Sequence, residues 1–209
     1  MFYLTKTPKW AFKLFNKSVW QMPDMGKNIF LTFDDGPHSE ITPFVLNELD
    51  KFDAKATFFC IGKNVLENPM VFNQIIDKGH AVGNHTFSHL DGWKAKNTDY
   101  RTDILKAREY IDSDLFRPPY GRITRKQHKE LTMMERPFRI IMWSVLSGDF
   151  HVKLSPEECC ENVISNVKSG SVVVFHDSEK ANERLRYALP IVLKHFNEQG
   201  YLFRKIELS

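Results

Sequence analysis

The chain has 209 residues, 42% of them hydrophobic, enough to close a sizeable core within a single domain. Its 29 basic and 26 acidic residues leave a formal charge of +3, too even a balance for a nucleic-acid surface or for an acidic polymer as the main partner. Cys60, Cys159 and Cys160 are odd in number and two are adjacent, which excludes a disulfide framework and a spaced cysteine metal cluster.

Residues 1–27 stand apart from the rest of the chain. Lys9, Lys13 and Lys17 fall four apart with Trp10, Leu14 and Phe15 between them, the pattern of a short amphipathic helix. Docking on the open end of the folded body is preferred over membrane-surface binding, because the segment is short and its charge modest. MFYLTKTPKWAFKLF has no basic region followed by an apolar core, and no run approaches the roughly 18 apolar residues of a membrane span. As numbered, the chain therefore reads as cytoplasmic, and as exported only if a leader is missing.

From residue 28 onward strand-like and helix-like patterns alternate. NIFLTFDD reads as a strand, TPFVLNELDKF as a helix, ATFFCI as a strand, NPMVFNQIIDKG as a helix and HAVGNH as a strand. A polar helix around TDYRTDILKAREYI precedes the short DLFRPPY, then TRKQHKELT, FRIIMWS and SPEECCENVISNVKSG, where Ser155, Pro156 and Glu158 form a capping-box start. SVVVFHD, a long helix near NERLRYALPIVLKHFNEQG and a last strand YLFRKIEL complete the series. Such alternation predicts parallel strands wrapped by helices, as an open doubly wound sheet or a barrel.

Chemistry-bearing residues sit at the ends of these strands. In FLTFDDGP, Asp34 and Asp35 close an apolar run, and neighbouring carboxylates on a strand can differ in role only if the turn re-aims one of them. In GNHTFSHL, His85 and His89 are four apart, which puts both imidazoles on one face if a helical turn follows the strand. Thr86 stands where the zinc-protease pattern needs a glutamate, so that reading fails. A carboxylate from the DD turn would complete a two-histidine, one-carboxylate set, with the other aspartate free to act as a base. Strand C-terminal ends share one face in either architecture, so the DD turn, the histidine pair, RPPYG and FHD converge there.

TFDDGP, NHTFSH, RPPYGR and VVVFHD, in that order, resemble the polysaccharide deacetylases with a NodB homology domain, carbohydrate esterase family 4. The resemblance covers roughly residues 28–208 and implies a distorted, seven-stranded (β/α) barrel at 28–209, with 1–27 packed on it. It implies a metal-dependent hydrolase that removes N-acetyl groups from an acetylated carbohydrate. By this similarity Asp34 is the general base, Asp35, His85 and His89 hold a divalent metal, and His176 is the general acid. Arg117 orients Asp34, and the backbone N–H of Tyr120 helps stabilise the oxyanion. Pro119, Trp143, Asp149 and Phe150 are assigned to the substrate side. Zinc is the first choice of metal, with cobalt or nickel as alternatives.

The pattern departs from the family in MWSVLSGDFH. Aligned on Trp143, Leu146 takes the position of a first aspartate thought to tune the acid histidine, Asp149 that of a second, and Phe150 that of a tryptophan. The expectation is that Asp149 or a neighbour compensates, or else that the His176 pKa falls. Trp93 in HLDGWK either lines the groove or packs in the core. His38, His80, His128, His151 and His195 match no role. The alternatives carried forward are an esterase or amidase acting on O-acetyl or small non-sugar substrates, and a catalytically silent metal- or glycan-binding domain.

Overall fold

A computed structural model describes residues 4–8, 17–23 and 26–207. The amphipathic helix expected around Lys9–Lys17 falls mostly on residues 9–16 and so lies outside the described residues. From Asn28 the observed elements follow the expected rhythm. Strand β1 (Asn28–Asp34) leads to helix α1 (Ile41–Asp50), β2 (Thr57–Cys60), α2 (Gly62–Glu67), α3 (Pro69–Asp77) and β3 (Ala81–Asn84). Then come α4 (Asn97–Arg108), β4 (Leu115–Phe116), α5 (Arg125–Thr132), β5 (Arg139–Ile140) and β6 (Val145–Leu146). Helix α6 (Pro156–Ile164), β7 (Val172–His176), α7 (Asn182–Glu198) and β8 (Leu202–Phe203) close the series. The capping box read at Ser155 is present at the start of α6, and a second, formed by Thr124 and Gln127, starts α5.

Seven parallel strands run in the order β5-β4-β3-β2-β1-β7-β6 and curl into a distorted (β/α) half-barrel, with the two-residue β8 beside the start of β1. The doubly wound alternative is thereby set aside. The strands are shorter than their apolar runs suggest, FRIIMWS contributing only Arg139–Ile140 to β5. The N-terminal segment supplies hydrogen bonds to the edges of this open barrel. Leu146 N–H donates to the Thr5 carbonyl at 2.8 Å and Thr7 N–H to that of Ser144 at 3.0 Å, while Val19 exchanges bonds with Ile140 and Met142. Edge groups that would otherwise be unpaired are covered in this way.

Period-two alternation sorts β1. Ile29, Leu31 and Phe33 face the helices, where Phe33 stacks on Phe58 at 5.0 Å and on Phe175 at 6.1 Å. Phe30 joins Met22, Phe59, Ile141, Val172 and Ile206 in a separate inner cluster. Thr32 and Asp34 share the parity of Phe30 and point into the barrel mouth. On β7 the same parity aims His176 inward, and Asp34 and His176 are register partners on neighbouring strands. Pleat and register alone therefore set these two side chains next to one another.

Candidate active site

Asp34 ends β1 almost fully buried, and its Oδ1 accepts from Arg117 Nη1 at 2.7 Å. Arg117 is completely buried. The same Nη1 donates to Thr32 Oγ1 at 2.7 Å, Nε to the Ile141 carbonyl at 3.2 Å and Nη2 to the Met142 carbonyl at 3.0 Å. Its guanidinium lies 4.1 Å from the Phe59 ring and 5.9 Å from that of Trp143. Burial lowers the Arg117 pKa, but the adjoining Asp34 charge opposes that shift, and the guanidinium keeps its proton.

The next residue turns the other way. Asp35 has φ of 78°, a left-handed conformation that swings its carboxylate out of the strand pleat, so consecutive aspartates reach different surroundings. Asp177, fully buried, holds this turn: its Oδ1 accepts from Gly36 N–H at 3.1 Å and its Oδ2 from Thr42 Oγ1. A Cβ on Gly36 would lie 2.1 Å from Asp177 Oδ2, so only glycine fits there. Burial pushes the Asp177 carboxyl up to about 7. Asn64 adds a bond to the Asp35 carbonyl at 2.7 Å.

His85 and His89 converge, but not by the helical turn expected of their spacing. Residues 85–90 form a loop with Thr86 at φ 65° and His89 at φ 58°. Asp103, on α4, accepts from the N–H groups of Phe87 and Ser88 at 2.9 and 3.0 Å, while Asn84 Oδ1 accepts from Thr86 N–H at 2.9 Å. Side-chain bonds to the loop backbone displaced the helix, which the i,i+4 pattern alone did not reveal. Tyr120, in the 3₁₀ turn Pro119–Gly121, also has positive φ, at 60°. Among the described residues, four of the five non-glycine positions with positive φ lie in these motifs, the clustering of strain that attends functional sites.

Asp35 Oδ1 lies 3.6 Å from His85 Nε2 and 3.2 Å from His89 Nε2, and one ligand atom from each residue falls within 4.8 Å of the others. His85 Nδ1 is 2.8 Å from the Arg117 carbonyl. Since a carbonyl only accepts, Nδ1 carries the proton and the Nε2 lone pair faces Asp35. Burial pushes the His85 imidazole down to about 4, keeping it neutral. Burial works against the Asp35 charge, yet the His89 side chain and the fields of His176 and His85 hold its carboxyl well below the usual range. Asp35 Oδ1 is buried and receives no hydrogen bond of good geometry. An ionised, unsatisfied oxygen facing a neutral imidazole lone pair is a donor set that fits a divalent cation.

His176 is held by one carboxylate twice. Its Nδ1 lies 2.7 Å from Asp149 Oδ1, and its N–H donates to Asp149 Oδ2 at 2.7 Å. Asp149 is fully buried and anchored by Arg184 Nε, which donates to its carbonyl at 2.6 Å. The partner of the imidazole is thus Asp149, not a residue at the Leu146 position, and Asp149 sits on the histidine rather than facing substrate. Burial lowers the His176 pKa, but the Asp149 charge and hydrogen bond, with Asp35 and Asp34 beyond, push it up to about 10. Of the two expectations for the Leu146 position, compensation by Asp149 is the one these contacts bear out, and the alternative of a lowered pKa is not. Because the folded value exceeds the ordinary one near 6.5, the stabilisation from this pair is fully present below about pH 6.5 and lost as pH rises through about 10. Asp149→Asn removes the nearest raising charge and leaves only the fields of Asp35 and Asp34 against burial, so the His176 pKa should fall well below about 10. A ring-proton NMR titration checks this, and an unchanged midpoint would count against the pairing.

Other assigned residues divide by exposure. Phe150 meets His176 edge-on at 5.3 Å and Trp143 is half-buried, both at the mouth of the site, whereas Pro119 is buried and shapes the turn. Asp177, Asn84, Asn64 and Asp103 were not singled out as site residues by sequence reasoning. Asp177 closes FHD and Asn84 opens NHTFSH, so both lay inside the family motifs, whereas Asn64 and Asp103 lay in none of them. Local bonding accounts for several unassigned histidines: His80 Nδ1 accepts from Ala56 N–H at 3.1 Å, and His128 pairs with Ser18 Oγ at 3.0 Å.

A curled seven-stranded parallel half-barrel bearing an aspartate–dihistidine cluster at its strand ends defines the NodB-like fold class. The family described as polysaccharide deacetylase matches residues 21–136, and the chain belongs to that family. It is 35% identical over 192 residues to a peptidoglycan-N-acetylglucosamine deacetylase of Bacillus cereus, covering 88% of this chain and 89% of that one. It is 32% identical to the peptidoglycan-N-acetylglucosamine deacetylase PgdA of Listeria monocytogenes over 187 residues, 87% of this chain but 38% of that longer protein. A crystal structure of a peptidoglycan N-acetylglucosamine deacetylase in complex with an N-hydroxybenzamide superposes with a TM-score of 0.86 at 31% identity, covering 96% and 95% of the two chains. A CE4 family pseudoenzyme from Bacillus anthracis superposes at 0.79 with 25% identity, covering 90% of this chain and 67% of that one.

Proposed function

We propose that this chain is a metal-dependent deacetylase that hydrolyses the acetamide of N-acetylated sugars in a glycan or oligosaccharide. The observation that carries the reading is the pairing of Asp34 and His176 on neighbouring strands, each clamped by its own buried partner, beside the Asp35, His85 and His89 cluster. The names of the relatives supply the substrate class.

Asp35, His85 and His89 would hold the cation, with zinc suited to that ligand set and cobalt or nickel able to replace it. When bound, it supplies Lewis acidity to the acyl carbonyl. Asp34, kept aimed by Arg117, takes a proton from the attacking water. The Tyr120 N–H donates to the oxyanion as the carbonyl carbon becomes tetrahedral. Protonated His176 then gives its Nε2 proton to the sugar nitrogen, the C–N bond breaks, and acetate and a free amine leave. Asp149 fixes which ring nitrogen faces the substrate. With Asp35 engaged as a ligand, its contribution to raising the His176 pKa would be reduced.

The silent-domain alternative drew its force from Leu146. With Asp149 occupying the place beside His176, that motive falls away. The ester alternative is decided by a panel of N-acetylglucosamine oligomers, purified peptidoglycan and an O-acetylated ester, assayed for acetate. Release from the N-acetyl sugars in excess of the ester is expected, and release from the ester alone would overturn the amide assignment.

A further inference from the structure

Trp93 is 65% exposed, so the core-packing reading of this residue does not hold. Its loop is nevertheless pinned from several directions. Asp91 Oδ1 accepts from Trp93 N–H at 3.0 Å while its Oδ2 accepts from Arg122 Nη1 at 2.7 Å. Gln127 Nε2 donates to the Gly92 carbonyl at 2.8 Å, and the indole Nε1–H donates to the Ile123 carbonyl at 3.3 Å. Gly92 packs so closely that a Cβ would lie 2.4 Å from the Arg122 carbonyl. An exposed indole with its backbone and its N–H both fixed is a preorganised apolar surface, one that loses little freedom on binding.

The indole also continues the site. The Arg122 guanidinium lies 5.2 Å from the Trp93 ring and 5.6 Å from the Tyr120 ring, and Tyr120, itself 55% exposed, meets His89 edge-on at 4.7 Å. A chain of neighbouring flat groups thus links the proposed ligand His89 to the exposed Trp93, in steps of 4.7, 5.6 and 5.2 Å. A pyranose complements such a surface: its axial C–H groups lie against an aromatic face, while its hydroxyls at the rim find charged donors and acceptors.

We infer that Trp93, backed by Arg122 and Asp91, forms a carbohydrate subsite for the pyranose flanking the sugar whose acetamide is cleaved, so that the protein selects oligosaccharides over monosaccharides. This rests on the reading of the site as a sugar deacetylase. The test is kcat/KM for acetate release along a series of N-acetylglucosamine oligomers from the monosaccharide upward, for the wild type, Trp93→Ala and Trp93→Phe. The ratio of kcat/KM for long over short substrates should fall about ten-fold in Trp93→Ala, through KM, and be largely kept by Trp93→Phe. A wild type without length preference, or a Trp93→Ala ratio equal to the wild type's, would overturn it. Failure of the deacetylase reading would show separately, as no acetate from any sugar. In that event calorimetric binding of the longest oligomer decides: affinity weakened about ten-fold by Trp93→Ala supports the subsite, and equal or absent binding in both proteins overturns it.

Discussion

Asp34→Asn should lower turnover of an N-acetyl sugar by about 10²–10⁴-fold, the usual contribution of a positioned base. The substitution is nearly isosteric, and Arg117 Nη1, now 2.7 Å from Asp34 Oδ1, can still donate to an amide oxygen. The cluster of Asp35, His85 and His89 uses none of the atoms changed, because the left-handed Asp35 carries its carboxylate away from its neighbour. Zinc affinity measured by calorimetry should therefore stay close to the wild type's while turnover collapses. A variant that retains turnover within a few-fold would remove Asp34 from the role of base. One that loses zinc binding as well would assign it to the metal instead.

The second large effect is on stability. Arg117 is completely buried, and its guanidinium donates to Thr32 Oγ1, Asp34 Oδ1 and the carbonyls of Ile141 and Met142, tying β1 to the segment after β5. Arg117→Ala leaves the almost buried Asp34 charge without its partner and the other acceptors without a donor. Breaking a buried pair by removing one member costs about 3–5 kcal/mol, a large share of the stability of a domain this size. Urea unfolding should show the midpoint shift. Arg117→Lys restores a charge but cannot span the same acceptors, so it should recover only part of the loss. A change below about 1 kcal/mol in Arg117→Ala, within the range of an ordinary surface pair, would contradict the brace.

The sequence was most informative where chemistry is tied to strand ends. The alternation of apolar strands with amphipathic helices is enforced by burial on both sheet faces, so the order of elements was legible from residue 28 to Phe203 except for the short α2 and the two-residue β6, which the sequence reading did not contain. Asp34, His176, Asp35, His85 and His89 were legible because each stands at such an end, and register then does the rest. What was hidden depends on contacts between distant segments. The i,i+4 spacing of His85 and His89 suggested a helical turn, but Asp103, fourteen positions beyond His89, braces a left-handed loop instead. Nothing local announces such a partner. Asp149 was placed on the substrate side and also named as a group that could compensate at His176, and the second reading is the one its contacts bear out. Its carboxylate reaches His176 only through the pairing of β6 with β7. The function of Asp177 in holding Gly36 was likewise invisible, since 141 residues separate the two.

The central claim is that hydrolysis depends on a cation held by Asp35, His85 and His89. The most direct test is acetate release from an N-acetylglucosamine oligomer by protein stripped with a chelator and then restored with increasing zinc. His85→Ala would be carried through the same steps. The account predicts release that vanishes on stripping, returns as zinc approaches one equivalent, and does not return in His85→Ala at that concentration. Undiminished release by the stripped protein would contradict it.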